Sequence, residues 1–335
     1  MTLLEVDDLA VTFSRRGLEP FKAVDGVSFA VEPGRTVGLV GESGCGKSVT
    51  SLAIMGLLPA RGARVTGRVS FEGTDLLRLS TREMRDRRGR DIGMIFQDPL
   101  SSLNPVIPIG LQVTEVLRRH RGMKGDTAKK EAASLLQSVG IPDPTRRLKE
   151  YPHQLSGGMR QRALIAIALA CQPRLLIADE PTTALDVTIQ AQILALLKRL
   201  VEETGTALIM ITHDLGVVAG LCDTVNVLYA GRVVETAERH RLFGEPRHPY
   251  THGLLASVPR LDAPRGEPLR PIRGAVSDNI PWDTGCAFAP RCDHRIDPCT
   301  ETTPALEDDG LRLLRCYNPV DPTRTEAAAA QGAPA

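Results

Sequence analysis

The chain has 335 residues and carries 41 basic against 40 acidic side chains, a formal charge of +1. With 42% hydrophobic and 24% charged residues it has an ordinary globular composition, which excludes wholesale disorder and fibrous architectures. The balanced charge offers no basic field for wrapping a nucleic-acid backbone, and the longest apolar run, nine residues over 163–171, is far short of the roughly 20 needed to span a bilayer.

The opening MTLLEVDDLAVTF has acids where a signal peptide carries a basic region, so a cytoplasmic chain is expected, any membrane role coming through a partner. β-branched runs at 3–13 and 27–31 suggest an antiparallel β flap. Strand-type runs then recur at 36–40, 92–96, 175–178, 207–211 and 224–229. They alternate with helical patterns at 47–57, around 109–119, at 128–139, 159–171 and 187–202. Such alternation predicts an α/β domain on a largely parallel sheet. Ser80 with Glu83 three residues on is a capping-box start for a short helix over 80–88, whose arginines read as a solvated face. Residues 1–235 form the predicted main domain. After Glu235, prolines crowd in at 246, 249, 259, 264, 268 and 271 and strand periodicity fades. Residues 236–322 therefore read as an irregular extension held by something other than a large core, and 323–335 as a disordered tail.

Residues 41–48, GESGCGKS, satisfy G-x-x-x-x-G-K-[ST] between a predicted strand and a predicted helix. In that setting successive backbone N–H groups turn onto phosphate oxygens and the helix N-terminus adds its positive dipole end. The expected nucleotide contacts are Gly41, Ser43, Gly44, Cys45, Gly46, Lys47, Ser48 and Val49, with Lys47 on the β- and γ-phosphates and Ser48 on Mg²⁺. Cys45 is most simply a small residue that fits the loop. A second half of the site is LLIADE at 175–180. A buried strand there would bring Asp179 to the Mg²⁺ and Glu180 to the attacking water as general base. Taken alone, the two acids could equally be solvated ends of a strand.

Between these segments stands LSGGMRQR, residues 155–162, which closely resembles the signature sequence of ATP-binding-cassette (ABC) ATPases. Gln97 in IFQDP, the turn of Ala184, Leu185 and Asp186, and His213 in ITHD follow in the family's order. The resemblance implies an ABC-type P-loop nucleotide-binding domain, with a RecA-like core, a helical subdomain and an antiparallel β flap. It also implies that Gln97 and His213 face the γ-phosphate, Gln97 also the Mg²⁺, and that Asp186 lies in a dimer-contacting loop. Ser156, Gly157 and Gly158 would complete the ATP site of an opposing cassette. With one cassette in the chain, a second is required. Phe13 is the expected adenine-stacking aromatic, with Phe21 as its competitor.

The stretches FQDPLSSLNP at 96–105, HPYT at 248–251 and GCAFAPRC followed by x6–C resemble the ATP-binding subunits of peptide importers, over about 3–319. That resemblance implies an ATPase that energises import of di- or oligopeptides, peripheral to the cytoplasmic face of the membrane. Its partners would be two transmembrane permease subunits, a second ABC ATPase (a heterodimer being favoured) and, through the permease, an extracytoplasmic solute-binding protein. Nucleic acid is not expected. The alternatives are a nickel or glutathione importer ATPase, or a soluble ABC ATPase outside transport. Four of the seven cysteines, Cys286, Cys292, Cys299 and Cys316, lie in the extension at spacings of x5, x6 and x16. These lack the C-x2-4-C pairs usual for structural zinc and suit an iron–sulphur cluster better, with zinc and free thiols as alternatives. The importer resemblance points to a 4Fe–4S cluster.

Overall fold

A computed structural model describes residues 2–14, 17, 19–183, 185–258, 272–274, 276 and 284–321, apart from the side chain of Leu100. The expected tail, and four of the six prolines named above for the extension, lie outside the described residues. The strands in chain order are β1 (Leu4–Phe13), β2 (Phe21–Val31), β3 (Thr36–Val40), β4 (Ala63–Phe71), β5 (Thr74–Asp75) and β6 (Ile92–Ile95). They continue as β7 (Leu175–Asp179), β8 (Ala207–Thr212), β9 (Thr224–Tyr229), β10 (Arg232–Glu238), β11 (Glu307–Asp308) and β12 (Arg312–Leu314).

Two sheets result. The larger has eight strands in the order β11-β12-β10-β9-β3-β8-β7-β6, and the smaller, β2-β1-β4-β5, is an antiparallel flap. Strand β3 runs parallel between β8 and β9, so the loop that leaves its carboxyl end opens near the centre of the large sheet. Its five residues are all buried, as are those of β7 and β8. Parallel strands covered on both faces need apolar side chains in both directions, and here the two directions enter two cores. Leu39, Ile177, Ile209 and Ile211 meet the flap and the helix Lys47–Ile54. Val40, Leu176, Leu208 and Met210 meet the helices Ile109–Arg121, Gly125–Ser138, Gly157–Leu169 and Val187–Thr204.

The expected α/β domain, with its antiparallel flap, is therefore present. Strand β4 was not anticipated: only its last three residues are buried, so its sequence lacks a sustained apolar alternation. The first helix stops at Ile54, before the expected end at 57, because the chain turns into positive φ at Gly56. The boundary expected at 235 falls inside β10. Beyond it, β12 pairs with β10 and β11 with β12, while Tyr250 and Phe288 join the helix-side core. A buried ion pair, Arg312 Nη1 to Glu235 Oε1 at 3.0 Å, links β12 to β10.

Candidate functional site

The phosphate loop follows β3 directly. Gly41 has φ +154° and Gly46 φ +98°. A Cβ at Gly41 would run into the Leu228 carbonyl, and one at Gly46 into the carbonyl of Ala23. Both positions therefore require glycine on conformational and steric grounds. Lys47 opens the helix Lys47–Ile54, is almost fully buried, and donates through Nζ to the carbonyls of Gly41 and Glu42, both at 2.8 Å. The ammonium thus bridges the mouth of the loop. Cys45 has no exposed surface, and burial pushes its thiol pKa up, as befits a packing residue.

Ser48 Oγ donates to Asp179 Oδ1 at 2.9 Å, joining the two halves of the site. Burial pushes the Asp179 carboxyl up from its ordinary range, the bond from Ser48 opposing and the neighbouring Glu180 reinforcing the rise. A buried carboxylate beside a serine hydroxyl fits a divalent cation, whose charge would offset that desolvation. Glu180 stands at φ +46° and is gripped from three sides. Gln97 Nε2 donates to Oε2 at 2.9 Å, Thr183 Oγ1 to Oε2 at 2.8 Å, and His213 Nδ1 lies 3.2 Å from Oε1. Burial alone would raise its pKa, but the bonds from Thr183 and His213, with the charge of Lys47, hold it below the ordinary glutamate range. An oriented, ionised carboxylate at the edge of a phosphate cradle can polarise a water molecule.

Gly41, Glu42, Ser43, Gln97, Glu180 and His213 line one open cleft. Ser156, Gly157 and Gly158 are not among the residues that line it; they stand at the start of the helix Gly157–Leu169. Ser156 Oγ accepts the N–H of Met159, and a Cβ at Gly158 would crowd Ile189. Asp186 caps the neighbouring helix, accepting the N–H of Ile189 at 3.0 Å; Ala184 of the same turn lies outside the described residues. Phe13 pairs with Phe21 and Ala63 in the flap and packs on the flap-side core.

The four clustered cysteines line a single small cavity, with His248 and Phe288 in its wall. All are free thiols. Burial pushes Cys316 up to about 12 and Cys292 up to about 11, and each also feels the other nearby thiols. Among the described residues, no three Cys, His, Asp or Glu side chains are close enough to share one metal ion. The donors thus surround a space and do not converge on a point.

Sequence reasoning assigned no role to Glu42, Thr183, Tyr250 or Arg291. Tyr250 Oη accepts the Glu42 N–H at 2.9 Å, and Arg291 holds the Glu42 carboxylate. Two signals were available, since Tyr250 lies in HPYT and Arg291 in APRC. Leu254, Gly274 and Val276 of the extension also line the cleft.

Residues 24–183 match the family described as ABC transporter, and residues 234–299 match the oligopeptide/dipeptide transporter C-terminal region. The chain is 55% identical over 303 residues to the dipeptide transport ATP-binding protein DppD of Bacillus subtilis, covering 90% of each chain. It is 49% identical over 319 residues to the oligopeptide transport ATP-binding protein OppD of Salmonella typhimurium, covering 95% of this chain and 94% of that one. Among solved structures, the dimeric post-hydrolysis state of the ATP-binding cassette MJ0796 bound to ADP and Pi superposes with a TM-score of 0.63 at 30% identity. That match covers 70% of this chain and 98% of the cassette.

Proposed function

This chain belongs to the ABC transporter family, and from that membership we propose that it is the ATP-hydrolysing subunit of an importer of di- or oligopeptides. The observation that carries the proposal is that residues 41–43 of the phosphate loop line one cleft with Glu180, while Ser48 of the same loop bonds Asp179, the residue before Glu180. The match of the C-terminal region to peptide transporters supports the choice of solute.

In this proposal the N–H groups of Gly41 and of residues 43–49 and the Lys47 ammonium bind the phosphates, and Ser48, Asp179 and Gln97 hold Mg²⁺. Bound there, the ion would neutralise charge on the phosphate oxygens. Gln97, Thr183 and His213 orient the Glu180 carboxylate, which accepts the proton of the attacking water. Gln97 and His213 also contact the γ-phosphate, and Phe13 stacks on the adenine. Ser156, Gly157 and Gly158 face the nucleotide of a second cassette, an arrangement consistent with their not lining the chain's own cleft. Residues 1–235 are the cassette and 236–322 an extension docked on it. Among the described residues no helix is long and apolar enough to cross a membrane. In this proposal the chain attaches to two permease subunits on the cytoplasmic face. The second ATPase is a different chain, and a solute-binding protein serves the permease from outside.

The four-thiol cavity is proposed as the seat of a 4Fe–4S cluster. An all-thiol donor set spread around a space suits a cluster, which holds its ligands wider apart than a single zinc ion does. Anaerobic purification should then yield about four iron and four sulphide per chain. Iron-free folded protein would overturn this assignment.

The function is tested by isolating the tagged chain from gently solubilised membranes and identifying what accompanies it by mass spectrometry. Two multi-spanning subunits and a sister ATPase are expected. A retinue of ribosomal or DNA-bound proteins would overturn the transport role and leave the ATPase assignment standing.

A further inference from the structure

Glu42 is an acid inside a loop built to receive a triphosphate. An uncompensated carboxylate there would repel the ligand. The structure places that charge under the control of the extension. Arg291, only 6% exposed, meets it with a two-pronged contact: Nη1 to Oε2 at 2.7 Å and Nη2 to Oε1 at 3.0 Å. The rest of the guanidinium is also committed. Nε donates to the Arg273 carbonyl at 2.8 Å, Nη2 to that of Gly274 at 3.2 Å, and Nη1 reaches Tyr229 Oη at 3.4 Å. The Glu42 N–H is meanwhile taken by Tyr250, whose ring packs against Tyr229 and Phe288. Arg291 itself ends the short turn Ala289–Arg291, between Cys286 and Cys292.

We propose that Arg291 is a positioning residue of the nucleotide site: it draws the Glu42 carboxylate away from the phosphate loop and neutralises it, so that MgATP affinity depends on the thiol-bearing turn. A bidentate charged pair is directional, so the fork sets the orientation of the loop as well as its charge. The inference rests on the chain binding MgATP as proposed above.

The test is a titration of the full-length chain with a fluorescent N-methylanthraniloyl ATP in excess Mg²⁺, at low and high salt. Arg291→Ala should weaken binding roughly tenfold at low salt, and the loss should shrink at high salt as the exposed carboxylate is screened. Glu42→Gln should stay within about twofold of the parent, and Glu42→Gln in the Arg291→Ala background should restore most of the lost affinity. A purely structural role for Arg291 predicts no such rescue. Unchanged binding in Arg291→Ala, or a double variant as weak as Arg291→Ala, would overturn the inference. If Arg291→Ala does not fold, Arg291→Gln, which removes the charge but keeps hydrogen-bonding capacity, carries the same expectation. A parent chain that fails to bind MgATP overturns the ATPase assignment as well, which separates the two failures.

Discussion

Glu180 occupies a backbone conformation that non-glycine residues rarely adopt, and its carboxylate is oriented by Gln97, Thr183 and His213. Strain of that kind persists only where surrounding contacts over-determine it. Glu180→Gln keeps the shape and two-fold hydrogen-bonding capacity of the side chain but removes the proton acceptor. It should bind MgATP with near-parental affinity while turnover falls by about 10²-fold or more, read by single-turnover phosphate release. Near-normal turnover would remove Glu180 from the role of base. Gly41→Ala should fail differently, because its Cβ meets the Leu228 carbonyl. Both nucleotide affinity and the thermal midpoint should drop. At this scale the sequence was highly legible for the residues proposed to touch phosphate, since chemistry restricts such residues to a few types at strict spacing. Thr183, Tyr250 and Arg291 contact Glu180 or Glu42, and although HPYT and APRC mark the positions of the last two, no spacing rule marks the contacts they make.

Elements with strong local signals formed as read. The helix Thr81–Arg87 starts at a complete capping box: Ser80 Oγ accepts the Glu83 N–H, and Glu83 Oε2 accepts the Ser80 N–H at 2.8 Å. Ser80→Ala should cost about 1 kcal/mol, measured by urea denaturation. The bonds from Ser80 lower the Glu83 pKa below the ordinary glutamate range. Because the folded-state value is the lower one, the stabilisation is present above the unfolded pKa and is lost as pH falls through the folded one. The gap in stability between the parent and Glu83→Gln should therefore narrow as the pH is taken from neutrality towards 3. A gap independent of pH would contradict that origin. Elements with weak local signals were missed. Strand β4 is largely exposed, and β11 and β12, of two and three residues, are too short to carry a period.

For the whole molecule, the decisive feature is that the extension does not hang free. Arg312 Nη1 pairs with Glu235, which also accepts the N–H groups of Arg247 and His248, and the same Nη1 donates to the Glu245 carbonyl at 2.6 Å. Removing one partner of a buried pair strands the other, so Arg312→Ala should cost roughly 3–5 kcal/mol. Limited proteolysis should then cut after β10 at a far lower protease concentration than in the parent. Nucleotide affinity should fall with it, since Arg291 and Tyr250 are docked by the same packing. Cys292→Ser, one residue from Arg291, should weaken MgATP binding in the parent and add nothing in Arg291→Ala. An equal further loss in that background would mean that the thiol cavity acts on the nucleotide by another route.

By itself the sequence determined the cassette fold, the phosphate loop, the acids Asp179 and Glu180, and the kinship with peptide-importer ATPases. Each of these rests on local pattern: apolar runs long enough for a buried strand, glycines where a Cβ cannot fit, and polar groups at spacings set by phosphate geometry. Only the tertiary structure decided that Gln97, Thr183 and His213 meet on Glu180, that the four cysteines of the extension surround one cavity, and that Arg291 reaches across 249 positions of chain to Glu42. Such pairings depend on which surfaces the two cores bring together, and packing between distant segments leaves no period in the chain.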